Sequence, residues 1–501
     1  MSEIRRRMAG GAIWMLLFKA VERSLGLIST LILARLLVPA DFGLIAMAAS
    51  LIALLELFSS FGLDTALIQR IDATPAHYNA AWTLNFLAAC SIATLMLLMS
   101  WPAALFYRQP HVTPVICALA AGAVIQGMEN VGVVDFRKQM RFDREFRFLL
   151  AKKVIAFCVT VPLAFWFRSY WALVCGILAG RTAGVSLSYL LSPFRPRFSL
   201  AHAGELMSFS KWLLVQNFLT FLRERSSDFI LGRMVGPAGL GIFSVSAEIS
   251  SMPGTELVAP INRAILPAYV RLAQDMPAMR REYLSVMSMV ALIAVPAVAG
   301  FAVSAPFLVL LVLGPKWTQA ADLIQILGFF SIGTVLQSNA YAAFLALNKP
   351  NVFAHINTIQ VCVLLALLAC LTPLFGIYGA AWAYVITAIS ILPVGFYYIT
   401  KHLGLRMREL VGAVYRPVCG AAIMYLGVRF LGPAMPHGPV SSLQAGVSLL
   451  KCVALGVPIY ILAVAILWLV AGRPEGSVEE WCLKQVQWAR VRARSALGWG
   501  R

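Results

Sequence analysis

Apolar runs of about twenty residues follow one another along almost the whole of this chain, and no other feature restricts its fold so severely. A bilayer core is roughly 30 Å thick, and an α-helix crosses it in about 20 residues. On that scale the sequence offers roughly fourteen candidate spans, at 12–35, 43–63, 80–106, 113–134, 149–168, 170–191, 210–234, 239–262, 284–304, 321–346, 352–373, 377–399, 411–431 and 444–471. The runs are continuous and do not alternate, which argues against a transmembrane β-barrel. Of the 501 residues 60% are hydrophobic and only 13% are charged, about half the charge of a soluble protein. The expected class is an all-α integral membrane protein. Pro306 to Gly314 is apolar but too short to span; it either extends span nine or lies at the interface.

The net charge is +19. In a soluble protein that would suggest nucleic acid as a partner. Here the basic residues sit in short loops between apolar runs, so the positive-inside rule and anionic headgroups account for them. Arg5, Arg6 and Arg7 lead the chain. A dense group from Arg137 to Lys153 follows span four, and further groups follow spans six, eight and twelve and close the tail. The other face offers Arg35, Arg108, Arg168, Arg233 and Lys316 and little else. The split is roughly 29 against 6, which places both termini in the cytoplasm and makes the number of spans even. The run after Arg7 mimics a secretory signal, but it is longer than a signal core and is interrupted by Lys19, Glu22 and Arg23. It is expected to stay as the first spanning helix.

Sliding the sequence against itself by 198 residues aligns Trp14 with Trp212, Arg35 with Arg233, Pro39 with Pro237 and Gly43 with Gly241. ILARLLVPADFG echoes ILGRMVGPAGLG. Each copy covers the end of one helix and the turn into the next, where Pro stops a helix and Gly frees the backbone. Spans one to six then repeat as seven to twelve. Six is even, so both copies keep the same orientation, as in parallel repeats related by an axis along the membrane normal. The expected layout is an N-lobe at 1–200, a C-lobe at 201–405, two further helices at 406–472 and a basic amphipathic tail at 473–501.

Charges inside spans carry the functional signal, because each costs at least ~2.5 kcal/mol at the bilayer centre. Span one holds Lys19, Glu22 and Arg23; span seven holds Arg223, Glu224, Arg225 and Asp228. Span six adds Arg181, span two Glu56 and Asp64, and span eight Glu248 and Glu256. The first helix of each repeat is thus a charged one. If the two face each other, Lys19, Arg23, Arg223 and Arg225 ring a shared cavity, with Arg181 nearby. Such a cavity suits a phosphate or pyrophosphate, which Arg holds bidentately. The opposing reading is that these groups pair internally or snorkel to an interface, most credibly for Lys19. Glu22, Glu224 and Asp228 read as ion-pair partners, with coupling to a proton or cation as the alternative.

Other chemistries find no support. The nine cysteines form no CxxC pair and read as packing residues; the six histidines are scattered, so no metal site or cofactor is expected. No GxxxxGK[ST] motif is present. DFRKQMRFDREFRFLLAKK, from Asp135 to Lys153, reads as an interfacial basic segment, and SVEEWCLKQVQWARVRARS, from Ser477, as a surface-lying helix. Lys316 and Trp317 in GPKW are expected to anchor at the membrane boundary.

LARLLVPADFGLIAMA (from Leu33), DFILGRMVGPAGLGIFSVS (from Asp228), ILPAYVRLAQD (from Ile265), GPKW and GIYGAAWA (from Gly376) together resemble the polysaccharide-export branch of the multidrug/oligosaccharidyl-lipid/polysaccharide (MOP) flippase superfamily. Similarity is greatest to exporters of the colanic-acid and teichuronic-acid type. The resemblance implies fourteen helices in two lobes around a central cavity lined by arginines. It also implies flipping of undecaprenyl-pyrophosphate-linked oligosaccharide from the cytoplasmic to the periplasmic leaflet of the bacterial inner membrane. On that reading the chain is not an enzyme. Its partners are the anionic lipid-linked sugar, membrane lipids, and the polymerase and glycosyltransferases of the same pathway. A drug/cation antiporter of the same superfamily would favour acidic cavity residues. A membrane enzyme of polysaccharide assembly would need a carboxylate or histidine cluster on one face.

Overall fold

A computed structural model describes residues 2–57, 72–201, 211–433 and 441–473, with isolated positions outside these stretches. Asp64 and nearly all of the tail from Ser477 lie outside the described residues. Among the described residues the secondary structure is helical throughout: α1 (Ser2–Leu36), α2 (Pro39–Glu56), α3 (Pro75–Tyr107), α4 (Val112–Gly127), α5 (Val134–Lys138), α6 (Phe142–Phe167), α7 (Trp171–Leu191), α8 (Lys211–Met234), α9 (Gly236–Leu272), α10 (Met276–Val312), α11 (Thr318–Ala346), α12 (Pro350–Leu403), α13 (Met407–Leu431) and α14 (Ser442–Val470). By length and hydropathy, nine helices of the described chain can cross a membrane. The number is ten if α4 and α5, bent by 63° across a 3₁₀ turn at Val131–Val133, count as one span. α1, α8 and α9 are not among them. In α1 and α8 the charges expected from the sequence are what interrupt the apolar run.

Several local readings are refined. The short apolar run after Pro306 is the end of α10, so it extends that span. α12 is 54 residues long and is broken at Gly376 (φ 58°, ψ −132°), a positive-φ position that glycine occupies without a Cβ penalty. The break falls between the two spans assigned to 352–373 and 377–399. The basic segment from Asp135 to Lys153 is largely helical, because α5 takes its start and α6 begins at Phe142. Trp317 is fully buried and packs inside the fold, so its ring is not an exposed anchor.

The chain divides into two compact units, Met1–Ser244 and Val245–Arg501. α8 and the first turns of α9 therefore belong with α1–α7. One reason is local. A Cβ on Gly43 would lie 1.8 Å from the Pro237 carbonyl oxygen, and a Cβ on Gly241 would lie 1.9 Å from the Pro39 carbonyl oxygen. Each repeated Gly thus packs against the backbone at the other copy's Pro, in a reciprocal contact that only glycine permits. Asp41 tightens the same turn by accepting hydrogen bonds from Val38 N and Tyr170 N, each at 3.0 Å.

In the second unit α10 is central, buried between α11, α13 and α14. Its core includes Tyr269, Tyr283 and Phe344, and the Tyr269 hydroxyl donates to Asn339 Oδ1 at 2.9 Å.

Candidate functional site

Within the first unit, α6 and α7 are held together by a stripe of glycines. Gly176, Gly180 and Gly184 recur every fourth residue on one face of α7, opposite Thr160, Ala156 and Lys152 of α6. A Cβ at Gly176 would lie 1.7 Å from Thr160 Oγ1, and one at Gly180 would lie 3.2 Å from the Ala156 Cβ. Small residues at this spacing let two helix backbones approach closely in lipid, where packing replaces the hydrophobic effect. At the end of the stripe Gly184 leaves room for an ion pair: Lys152 Nζ lies 2.8 Å from Glu129 Oε2. A Cβ at position 184 would sit 2.8 Å from that ammonium and 2.9 Å from that carboxylate oxygen. Lys152 also lies 4.9 Å above the Phe148 ring, which fixes its stem.

The next residue, Lys153, reaches α1, with Nζ 3.2 Å from Glu22 Oε1. The other oxygen of Glu22 lies 3.3 Å from Lys19 Nζ, so one carboxylate serves two ammonium groups. α1 is seated on α6 by aromatic contacts, with Trp14 5.0 Å and Phe18 6.3 Å from the Phe146 ring. Arg23, one residue on, is half-buried.

A second group lies on α7, α2 and α8. Arg181 Nη1 donates to the Leu119 carbonyl of α4 at 3.2 Å, crossing α4 at Gly122, where a Cβ would come within 3.1 Å of the same nitrogen. Arg181 and Arg225 are the cations that act on the Glu56 carboxylate at the end of α2. Arg225 Nη1 also lies 3.2 Å from Asp228 Oδ2, one turn along α8, and Asp228 is buried. Arg223 pairs at 3.3 Å with its neighbour Glu224 on a more exposed face of the same helix.

Two cavities run through this polar region. One, of about 320 Å³, is lined in part by Glu56, Asn85, Gln126, Glu129 and Lys152. The other, of about 400 Å³, shares Gln126, Glu129 and Lys152 and adds Ser29, Lys153 and Arg181. Both fall in the range of small-molecule sites, roughly 300–1,000 Å³. Together their walls carry three cations and two carboxylates. No group of three or more His, Cys, Asp or Glu suited to a metal ion occurs among the described residues, and the described cysteines are all free thiols.

The residues singled out from the sequence are therefore distributed unevenly. Of Arg23, Arg223, Arg225, Lys19 and Arg181, only Arg181 lines either cavity, the larger one. Arg225 touches the group through Glu56, and Lys19 through Glu22. Glu22, Glu224 and Asp228 each sit in an ion pair. Glu129, Lys152 and Lys153 are not singled out by the sequence: Lys152 and Lys153 end a segment that reads as a basic surface one, and Glu129 stands alone near the end of span four. The signal that locates them is the GxxxGxxxG pattern from Gly176 to Gly184, which marks the face of α7 that another helix must cover.

Comparison with known proteins places this geometry in context. The model of a family described as "Polysaccharide biosynthesis protein" matches residues 32–322. The lipopolysaccharide biosynthesis protein WzxC of Escherichia coli (strain K12) is 24% identical over 332 residues, 65% of this chain and 67% of that protein. Among solved structures, the lipid II flippase MurJ in an inward closed conformation superposes with a TM-score of 0.69 at 10% identity, covering 92% of this chain and all of that one. An inward-facing multidrug resistance transporter of the MATE family, of the MOP superfamily, follows with a TM-score of 0.55 at 14% identity, covering 76% and 94%.

Proposed function

The chain belongs to the polysaccharide biosynthesis protein family, and on that premise we propose that it is a flippase of the MOP superfamily that moves a lipid-linked, negatively charged oligosaccharide from the cytoplasmic to the periplasmic leaflet of the inner membrane. The observation that carries the proposal is the clustering of Arg181, Lys152 and Lys153 on the wall of the larger cavity, which shares Gln126, Glu129 and Lys152 with its neighbour. A pyrophosphate and a hydrated sugar cannot cross ~30 Å of hydrocarbon unaided, because stripping water from charge costs many kcal/mol. Guanidinium and ammonium groups held at depth replace that water, and the lipid tail stays in the bilayer. Arg225, Arg23, Arg223 and Lys19 extend the same positive field along α8 and α1. In this reading the chain has fourteen spanning helices in two parallel repeats, works by alternating access, keeps both termini in the cytoplasm and catalyses no bond change.

Names of relatives agree with the direction of this reading: WzxC is a lipopolysaccharide biosynthesis protein and MurJ a lipid II flippase. An antiporter for organic cations would be expected to surround its cavity with an excess of carboxylates, whereas the larger cavity carries Lys152, Lys153 and Arg181 against Glu129.

A deletion strain should accumulate lipid-linked oligosaccharide on the cytoplasmic leaflet and secrete none. Reconstituted protein should move a fluorescent undecaprenyl-pyrophosphate-linked sugar between leaflets, and Arg181→Glu should lower that rate about 100-fold or more. Normal flipping by a correctly inserted Arg181→Glu protein would refute the cationic mechanism. Thermal stabilisation by an organic cation, with none by the anionic lipid, would favour antiport instead.

A further inference from the structure

We propose that the cavity walls around Asn85, Gln126 and the Lys152–Glu129 pair form a subsite that reads the hydroxyl groups of the substrate's sugar, separate from the cations that hold its phosphate. The inference rests on the flippase reading and adds to it a division of labour inside the first unit.

The two amides come from different helices, Asn85 from α3 and Gln126 from α4, and both face the smaller cavity. Among the described residues neither side chain has a protein hydrogen-bond partner. Each amide offers two N–H donors and a carbonyl acceptor, which matches a hydroxyl that gives one hydrogen bond and accepts others. The same cavity is lined by an ion pair that is neutral as a unit. Lys152 and Glu129 are 2.8 Å apart, yet the ammonium keeps two further protons and the carboxylate most of its lone pairs for a ligand.

Charge separates this wall from the rest. A phosphate would be drawn to Lys153 and Arg181, which line the larger cavity and do not line the smaller one. The charge of Lys152 is already met by Glu129, so little net attraction for an anion remains beside the amides. The wall also carries a second carboxylate, Glu56, which repels a phosphate and accepts from a hydroxyl, so a polyol is the ligand class that fits it.

Gly184 makes the arrangement possible. It has no side chain to push the ion pair off α7, and a Cβ there would lie within 3 Å of both Lys152 Nζ and Glu129 Oε2. Sites that hydrogen-bond a hydroxyl favour the ligand that bears it, and with Asn85 half-buried and Gln126 exposed the preference here is a moderate one. The same wall therefore supplies a way to prefer a completed oligosaccharide over the bare lipid pyrophosphate.

The test uses the full chain in lipid nanodiscs and two probes. One is undecaprenyl pyrophosphate; the other is the same lipid bearing the oligosaccharide that accumulates in the deletion strain. Wild type should bind the sugar-bearing lipid about 10-fold more tightly than the bare one. The uncharged double variant Asn85→Leu/Gln126→Met, which adds no carboxylate beside Lys153 and Arg181, should lose that preference while its affinity for bare undecaprenyl pyrophosphate stays within about 2-fold. Gly184→Ala, which displaces the ion pair but leaves both amides, should lower the preference by part of that factor. A double variant that kept the full preference, or a wild type with none, would overturn the subsite and leave the flippase reading standing. Binding of neither lipid by wild type would bring down the flippase reading itself, and the subsite with it.

Discussion

The two units are made of the same kind of long apolar helix, yet they fill their interiors with opposite chemistry. The first encloses two cavities walled by amides, carboxylates and cations. The second encloses a cavity of about 480 Å³ between α10, α13 and α14, lined by residues such as Gly300, Phe301, Met424, Val428 and Val453. Its few polar groups are satisfied locally, as where the Tyr460 hydroxyl donates to the Leu292 carbonyl at 2.8 Å. Apolar filling is the inexpensive solution in a bilayer, while each charged side chain at depth costs at least ~2.5 kcal/mol. The second unit does bury one cation, Arg416 of α13, but away from the lining of its cavity; charged cavity walls therefore mark the first unit as the one whose interior does chemical work.

The harshest way to break this comparison is to put a charge where the second unit has none. At Gly300 an added Cβ meets only the Met424 terminal methyl, at 3.6 Å, so Gly300→Asp fits sterically and fails electrostatically. It is expected to cost about 3 kcal/mol or more, because an unpaired carboxylate enters an apolar cavity. Fluorescence-detected size exclusion should show little folded protein. Gln126→Glu, a comparable charge added to the wall of the first unit, should leave the folded yield near wild type. A normal yield of Gly300→Asp would mean the second interior is wet, and the contrast would collapse.

A smaller effect sharpens the contrast from the other side. Arg181→Leu removes a cation whose field reaches Glu56, and because Glu56 is exposed it should cost no more than about 1 kcal/mol. Adding Glu56→Leu should return most of that stability, since the carboxylate left without its cation is removed as well. Export should be lost in both the single and the double variant. Thermal unfolding in detergent, read beside export in the deletion strain, checks both halves of the statement. Recovery of export in the double variant would show that these charges serve structure alone.

How far the sequence discloses such a division depends on which physical signal a residue carries. Span positions are legible because hydropathy over ~20 residues is set by the bilayer. The gap left between 373 and 377 coincides with the break at Gly376, and the Gly–Pro motif marked the turns that meet at Pro39, Gly43, Pro237 and Gly241. Arg225 and Asp228, three residues apart on a helix, were expected to be able to pair and lie 3.2 Å apart. Lys152 and Lys153 escaped notice for a physical reason. Aromatic and basic residues alternate ahead of them, and that composition is the same on a membrane surface and in the first turns of a spanning helix. Their role becomes visible only once the bare face of α7 fixes which side of α6 is covered. Trp317 misled in the opposite sense: a Trp beside a Lys reads as an interfacial anchor, whereas this ring closes a 3₁₀ turn and is fully buried.

The smallest expected effect concerns Lys19, and its smallness is informative. Its ammonium lies 3.3 Å from Glu22, but its side chain is 58% exposed, and exposed pairs contribute about 0–1 kcal/mol. Glu22 moreover keeps a second cation, Lys153, at 3.2 Å. Lys19→Ala should therefore change stability by less than about 0.5 kcal/mol. Lys153→Ala should cost more, because Lys153 joins α1 to α6 and lines the larger cavity. Flipping should follow the same order, with Lys19→Ala near wild type and Lys153→Ala reduced about 10-fold. The reverse order, with Lys19 dominant, would move the working charges of the first unit out of its cavities and onto the exposed face of α1.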